Sequence, residues 1–251
     1  MMFKRKIFKY FIPLIGGLII PLVWLFLKSF VGISDRYLPS IRDVFYSVKD
    51  IEPNILLHTF YTLSRLAIGT CLGVFVGISL GIFAFKSLSF KKLSFPGIQC
   101  IRSIPPIATV PFFILWFGFS ETGKYLMITL GIALNIAIST YQILENIPEK
   151  YKILFRSFGI KPQDLTLNYS LPTVAENILP TIRFSLSTAI GLVVVSELLG
   201  SQVGLGYLIQ TSRSTFSMHV IFLATIILGI INFLIDYLTK VIWEKSIFWR
   251  R

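Results

Sequence analysis

Long apolar segments separated by short polar breaks dominate this sequence. A helix that crosses a membrane needs about 20 mostly apolar residues, and six segments meet that requirement. They lie at residues 11–30, 55–85, 95–119, 125–144, 177–200 and 219–243. The pattern predicts an all-α membrane protein with about six transmembrane helices.

A short amphipathic helix is predicted between the first two spans. Ser40 and Asp43 have the spacing of a capping box, with Asp in place of the usual Glu. Apolar residues then follow at positions i, i+3, i+4 and i+7 of a helix. They are Ile41, Val44, Phe45 and Val48. We expect this helix to lie on the membrane surface.

A second amphipathic segment follows the fourth span. Its apolar positions have the same helical spacing and are Tyr151, Leu154, Phe155 and Phe158. Gly159 occupies the place where a helix C-cap prefers glycine, and Pro162 follows. Such a segment can dock a partner protein by the helix-in-groove mode, or it can rest on lipid as an interfacial helix.

The second span carries a regular stripe of small residues. Gly69, Gly73, Gly77 and Gly81 recur every four positions and therefore share one helix face. Small residues at this spacing let transmembrane helices approach closely. Tight helix packing is the main interpretation, and a pore-lining stripe is the lesser one.

Composition agrees with a membrane protein surrounded by lipid. Hydrophobic residues make up 54% of the chain and charged residues 14%, against about 25% charged in soluble domains. The net charge of +12 does not indicate nucleic acid binding, because the basic residues lie in short clusters between apolar segments rather than in one patch.

The basic clusters predict the orientation. Sixteen of the 24 Lys and Arg fall in four segments, at residues 4–9, 86–92, 150–183 and 240–251. With six spans, all four segments lie on one side, which the positive-inside rule makes cytoplasmic. Both termini are then cytoplasmic.

No catalytic, metal or nucleotide site is apparent. Cys71 and Cys100 lack metal-ligand spacing and are interpreted as packing residues, and His58 and His219 are far apart in sequence. Residues 118–125 nearly match a phosphate-binding loop, but Tyr125 replaces the Ser or Thr that binds magnesium. We expect no cofactor, no metal and no enzymatic activity of the chain itself.

Three charged residues interrupt the apolar spans. Arg65, Arg102 and Glu197 each cost roughly 2.5–3.5 kcal/mol near the bilayer centre. Such residues face the bundle interior, where they either line a translocation path or form an interhelical ion pair. Three prolines between residues 105 and 111 predict a kink in the third span.

Several short motifs occur in an order that resembles a known family. They are Leu38-Pro39-Ser40, His58 with Thr62-Leu63-Ser64-Arg65, Arg102-Ser103-Ile104-Pro105, Leu115-Trp116-Phe117-Gly118, Arg156-Ser157-Phe158-Gly159, Leu171-Pro172 with Arg183, Ser196-Glu197, Gly204-Leu205-Gly206-Tyr207 and Asp236. The chain resembles permease subunits of binding-protein-dependent ABC importers, in the branch that handles nitrate, sulfonates and taurine.

This resemblance implies a type I ABC importer transmembrane domain in the bacterial cytoplasmic (inner) membrane. It implies a second permease copy around a central path, a pair of ATP-binding subunits that hold the ATP, and an extracytoplasmic solute-binding protein. Residues 1–54 would form an N-terminal helix and outer segment, and residues 55–245 the transport domain.

The resemblance also places an ATPase-coupling loop at residues 145–176. The residues expected to act there are Tyr151, Leu154, Phe155, Arg156, Phe158, Gly159, Leu171 and Pro172. Ile153-Leu154-Phe155 replace the family's usual Glu-Ala-Ala, which predicts a more hydrophobic contact with Arg156 as its polar anchor. The alternative function is an ion-gradient-driven secondary transporter, although no inverted repeat is visible.

Overall fold

Four long apolar helices and one broken span form the membrane part. The computed structural model describes residues 19–147, 153, 157–159 and 167–246. The long helices are α3 (Ile55–Lys86), α6 (Glu121–Glu145), α8 (Leu179–Gly200) and α10 (Met218–Ser246). The predicted all-α fold is confirmed. The predicted first span at 11–30 lies partly outside the described residues, and its described part is the apolar helix α1 (Ile19–Ser29).

The third span departs from the prediction. It consists of α4 (Leu88–Arg102), a 3-10 turn at Pro106–Thr109 and α5 (Val110–Phe117), with a bend of 93° between its two halves. Pro105 and Pro106 cannot donate backbone hydrogen bonds, so the helical ladder ends there. The span begins earlier than predicted because the basic segment at 86–92 is helical, with only Ser87 between α3 and α4.

Helices α3 and α6 pack directly along the glycine stripe. A Cβ atom on Gly69, Gly73, Gly77 or Gly81 would come within 2.8 Å of the side chain of Ile128, Ile132, Ile136 or Thr140, respectively. The offset between facing residues stays constant, so the two helices run parallel. The main hydrophobic core lies beside this contact, where residues such as Ile132 of α6 and Val193 of α8 are fully buried.

The amphipathic helix before α3 is shorter than predicted. Helix α2 (Ile41–Tyr46) has Ser40 as its N-cap, whose hydroxyl accepts from the Asp43 amide, and a 3-10 turn follows at Ser47–Asp50. Of the predicted apolar face only Val44 is buried, whereas Phe45 and Val48 are exposed. A helix of six residues is under two turns long, and Val44 is the residue that joins a core cluster with α10 and α9 (Leu205–Ser214).

The described part of the segment after α6 includes a helix that was not predicted. Leu171 and Pro172 lie inside α7 (Leu167–Asn177), rather than in a loop. The indole N–H of Trp243 donates to the Ala175 carbonyl at 2.8 Å, which joins α7 to the C-terminal part of α10. Ser139 of α6 and Thr181 of α8 form a hydrogen bond of 2.9 Å in the same part of the bundle.

Gly77→Ala should destabilise the bundle. Its new methyl group would lie 2.6 Å from Ile136 Cβ and 2.7 Å from the Ala133 carbonyl oxygen, and such overpacking costs about 1–3 kcal/mol. Thermal unfolding of the purified protein in detergent measures the loss. Gly229→Ala in α10 is the control, because no atom lies within 4 Å of its added methyl group. Equal stability of the two variants would contradict the packing interpretation.

Candidate functional site

An ionic network joins four helices at one end of the bundle, and its charged members are buried except for the half-exposed Glu121. Arg65 of α3 donates from Nη1 to Glu197 Oε1 at 2.7 Å. It also donates from Nε and Nη2 to the two carboxylate oxygens of Glu121, at 2.8 and 2.7 Å. Lys124 donates to Glu121 at 2.9 Å. The two cations and two carboxylates balance, which lowers the cost of keeping them away from water.

The carboxylate of Glu197 caps the N-terminus of α9. Its Oε2 accepts from the Gly206 amide at 2.9 Å, and the Thr62 hydroxyl donates to the same carboxylate at 2.9 Å. The Thr62 oxygen in turn accepts from the Leu205 amide at 2.9 Å. These amides belong to the first turn of α9, where the partial positive charge of a helix favours an anion.

Two glycines make room for this carboxylate. Gly204 has φ of 138°, a conformation that side-chain-bearing residues rarely adopt, and a Cβ there would lie 2.4 Å from the Glu197 carboxyl carbon. A Cβ on Gly206 would lie 2.5 Å from the Val194 carbonyl oxygen. The Gly-Leu-Gly motif at 204–206 is therefore needed for close approach of α9 to α8.

His58 contacts the segment just before α9. The sequence did not predict a site role for it. Its Nδ1 accepts from the Gly204 amide at 3.1 Å, and its Nε2 lies 3.2 Å from the Glu52 carbonyl oxygen. The same Nδ1 also lies 3.1 Å from the Gly204 carbonyl oxygen, so both backbone polar groups of Gly204 contact the ring. Sequence reasoning also missed Glu121 and Lys124 as network members. The signal was available, since both lie in the first turn of a span, where an acid and a base three residues apart are neighbours.

The structure separates the three predicted charged residues. Glu197 pairs with Arg65, whereas Arg102 is exposed at the end of α4 and is not among the described partners of Glu197. Arg102 lines a pocket at the break of the third span, together with residues of the 3-10 turn and of α6 such as Thr109 and Asn135.

The predicted coupling loop is described only in part. Tyr151, Leu154, Phe155 and Arg156 lie outside the described residues. Phe158 is 72% exposed, and Gly159 has φ of 71° with no atom within 4 Å of a Cβ placed on it. A left-handed glycine directly after an exposed aromatic residue is compatible with the predicted helix end.

Polar contacts tie this second end of the bundle together. Arg183 of α8 donates from Nε and Nη2 to the two oxygens of Asp236 of α10, at 2.5 and 2.6 Å. Lys91 of α4 contacts both Tyr141 and Glu145 of α6. These contacts join α8 to α10 and α4 to α6 at this end of the bundle.

No metal-binding group is evident in the described part of the chain, where His, Cys, Asp and Glu form no cluster of three or more able to hold an ion. The four charged groups of the network satisfy one another. This arrangement holds neighbouring helices together. It places no general base or nucleophile of the network in a cleft.

Glu197→Gln should lower the stability of the bundle by about 1–3 kcal/mol, because Arg65 keeps its buried charge and loses one carboxylate. The double variant Arg65→Gln/Glu197→Gln should cost less than the sum of the two single changes, since neither member is left unpaired. Thermal unfolding in detergent measures both effects.

Asp35→Asn is the control for this experiment, because Asp35 pairs with Lys28 at an exposed site. Surface ion pairs contribute little, so this variant should match the wild-type protein. Strict additivity of the Arg65 and Glu197 changes would show that the two side chains are not coupled.

Comparison with known proteins agrees with this architecture. Residues 69–245 match the family described as binding-protein-dependent transport system inner membrane component. A putative aliphatic sulfonates transport permease of Bacillus subtilis is 30% identical over 240 residues, which cover 93% of this chain and 87% of that protein. The taurine transport system permease of Escherichia coli is 25% identical and covers 85% of this chain and 80% of its own length.

A relative from Halalkalibacterium halodurans, named as a formylaminopyrimidine transport permease, is 26% identical over 88% of this chain and 89% of its own length. Among solved structures, an inward-facing form of the MetNI methionine ABC transporter has a TM-score of 0.66 at 19% identity. It covers 78% of this chain and 99% of that chain, and it supports the fold alone. The family match spans well over half of the sequence, and the resemblance to sulfonate and taurine permeases is confirmed. The chain therefore belongs to the family of inner membrane components of binding-protein-dependent transport systems.

Proposed function

We propose that this chain is the membrane-spanning permease subunit of an ATP-driven ABC importer, which passes a small solute inward after an external binding protein delivers it. The family match over residues 69–245 carries the proposal. ATP would be bound and hydrolysed by a separate pair of subunits. A second copy of the chain would complete the translocation path.

The names of the relatives suggest the class of solute. Their names refer to aliphatic sulfonates, taurine and formylaminopyrimidine, and the neighbouring structure is named for methionine. These compounds share small size more than a common chemical group. A small polar solute of the sulfonate type is our proposal, because the relative with 30% identity is named for sulfonates.

Uptake into proteoliposomes tests this function. Vesicles should contain the permease, its ATP-binding subunit and its binding protein, with taurine and ethanesulfonate as probes. Uptake that requires internal ATP supports the importer. Uptake driven by a proton or sodium gradient without ATP would instead support a secondary transporter.

The orientation of the bundle follows from charge. The ion pair between Lys91 and Glu145 brings the start of α4 beside the end of α6. Arg183 and Asp236 likewise bring the start of α8 beside the later half of α10. The described basic residues Lys91 and Arg183 therefore lie at this end of the bundle. By the positive-inside rule we propose that this end is cytoplasmic and that the Arg65 network lies at the opposite, external end.

Cysteine labelling in intact cells should confirm this orientation. In a Cys71→Ser/Cys100→Ser background, a membrane-impermeant maleimide should label Phe45→Cys and leave Phe158→Cys unlabelled, since we place Phe45 outside and Phe158 inside. Both side chains are exposed on the chain. Permeabilised cells should label both positions. Labelling of position 158 alone in intact cells would show that the topology is the opposite of the one proposed.

The segment at 145–176 is proposed to couple the permease to the ATP-binding subunits. Its exposed Phe158 suits a hydrophobic contact, and Arg156 would provide the polar anchor. The nearby Trp243–Ala175 contact and the Arg183–Asp236 ion pair offer a mechanical connection from this segment to α8 and α10.

Gly159→Val should reduce ATP-driven uptake at least about tenfold, because a β-branched residue is strained at positive φ. Gly159→Asn is the matched control and should keep most of the uptake, since Asn tolerates the left-handed conformation. Uptake rates are compared at equal amounts of inserted protein.

A crosslink locates the contact directly. Phe158→Cys should crosslink to the ATP-binding subunit, and Phe45→Cys at the other end should not. Normal uptake by Gly159→Val, together with no crosslink at position 158, would show that this segment does not couple the two subunits.

A further inference from the structure

Most charged residues within the described spans form ion pairs, whereas Arg102 does not. Glu121 and Glu197 bind Arg65, Glu145 binds Lys91, and Asp236 binds Arg183. Arg102 forms no ion pair within the described part of the chain, and its side chain is exposed. A charged residue inside a span normally faces a bundle interior or a water-filled cavity.

The position of Arg102 is deep in the membrane part. Its pocket is lined by residues of α6 from Leu130 to Asn135. Helix α6 has 25 residues, so these residues lie about 14–21 Å from one end of a helix about 37 Å long. Arg102 therefore starts from a level near the middle of α6, where contact of its charge with lipid tails would be unfavourable.

Helix α4 leads to this position along an exposed polar stripe. One face carries polar or small residues at alternating spacings of three and four, and all of them are exposed. They are Ser89, Lys92, Pro96, Gln99 and Ser103. The opposite side buries Phe95 and Ile98 against a cluster with Tyr141. Ser89 and Lys92 belong to the basic end of the helix. Because lipid tails do not solvate polar side chains, we infer that water faces the deeper part of the stripe, at Gln99 and Ser103.

The charged residues of α4 and α5 are all basic. Neither α4 nor α5 contains an acidic residue, whereas Lys92 lies on the stripe and Arg102 lies beside its inner end. Two polar residues line the same pocket: Thr109, whose hydroxyl donates to the Pro106 carbonyl, and Asn135, whose amide donates to the Gly131 carbonyl at 3.4 Å. Neither offers a negative charge to Arg102.

We propose that Arg102 is a specificity-determining residue that binds the anionic group of the solute midway along the translocation path, with the polar stripe of α4 as the water-facing wall. This inference rests on the proposed function. Five N–H donors in a planar fork suit an oxyanion such as sulfonate, phosphonate or carboxylate. Asn135 provides a further amide donor in the same pocket.

Charge-selective labelling tests the proposal without ATP or a known solute. In membrane vesicles that contain the full importer and the Cys71→Ser/Cys100→Ser background, Ser103→Cys places a thiol next to Arg102. Anionic and cationic methanethiosulfonate reagents are compared, each rate being divided by its rate with free 2-mercaptoethanol. The normalised anionic rate should exceed the cationic rate about fivefold.

The contribution of Arg102 is then isolated. Arg102→Gln should bring the normalised ratio near one, and Arg102→Lys should preserve it. Phe75→Cys on the exposed apolar face of α3 is the control for lipid-facing thiols and should react slowly with both reagents. Gln99→Cys, one turn away on the stripe, provides a second reporter if Ser103→Cys inserts poorly.

Three outcomes would overturn the proposal. Ser103→Cys and Gln99→Cys could react as slowly as Phe75→Cys, which would place the stripe away from water. The normalised ratio could be one in the presence of Arg102, as expected if an acid of the second copy neutralises it. The ratio could also stay unchanged in Arg102→Gln. Each outcome leaves the ATP-driven uptake experiment independent, so failure here is distinguishable from failure of the importer function.

Discussion

A single buried guanidinium holds together the external end that we assign to this bundle. Arg65 binds Glu121 of α6 and Glu197 of α8, and its Nη1 also donates to the Val203 carbonyl at 2.7 Å. An unpaired charge at this position would carry a large desolvation penalty. The position of α9 depends on the same group, because the carboxylate that Arg65 binds also accepts from the first turn of α9.

The network explains features that seem unrelated in the sequence. The Gly204-Leu205-Gly206 motif is needed because a side chain at either glycine would collide with α8 or its carboxylate. His58 and Thr62 lie one turn apart on α3 and contact successive residues, Gly204 and Leu205. Such connected polar groups are demanding, since each member left unsatisfied would be costly in a low-dielectric surrounding.

The two regions of the bundle differ in whether their charged residues form ion pairs. At the Arg65 end, every charged group of the network finds a partner on a neighbouring helix. At the break of the third span, Arg102 lines a pocket beside α6 and forms no ion pair within the described part of the chain. The first arrangement holds the fold together, and the second is the one that we propose a solute uses. The α3–α6 contact lies between these two regions. Its glycines let the two helix backbones approach closely.

The sequence by itself determined where most spans lie, because a run of about 20 apolar residues is a local property. It also indicated the cap at Ser40, the kink at the prolines and the need for partners at Arg65 and Glu197. The extent of α4 and the helix at 167–177 were missed, since basic residues and Pro172 weaken the apolar signal there.

Only the tertiary structure decided which charges meet. Arg65 meets Glu197 of α8 and, through the parallel packing of α3 on α6, Glu121 as well, whereas Arg102 at the end of α4 lines a pocket at the break of the third span. Glu121 and Lys124 are neighbours by local spacing, but the contact of Glu121 with Arg65 depends on the packing of α3 on α6. Arg65 lies 56 positions from Glu121 and 132 positions from Glu197 in the sequence. Ion pairing depends on distances of a few ångströms, and no local pattern of residue types encodes those distances between residues so far apart.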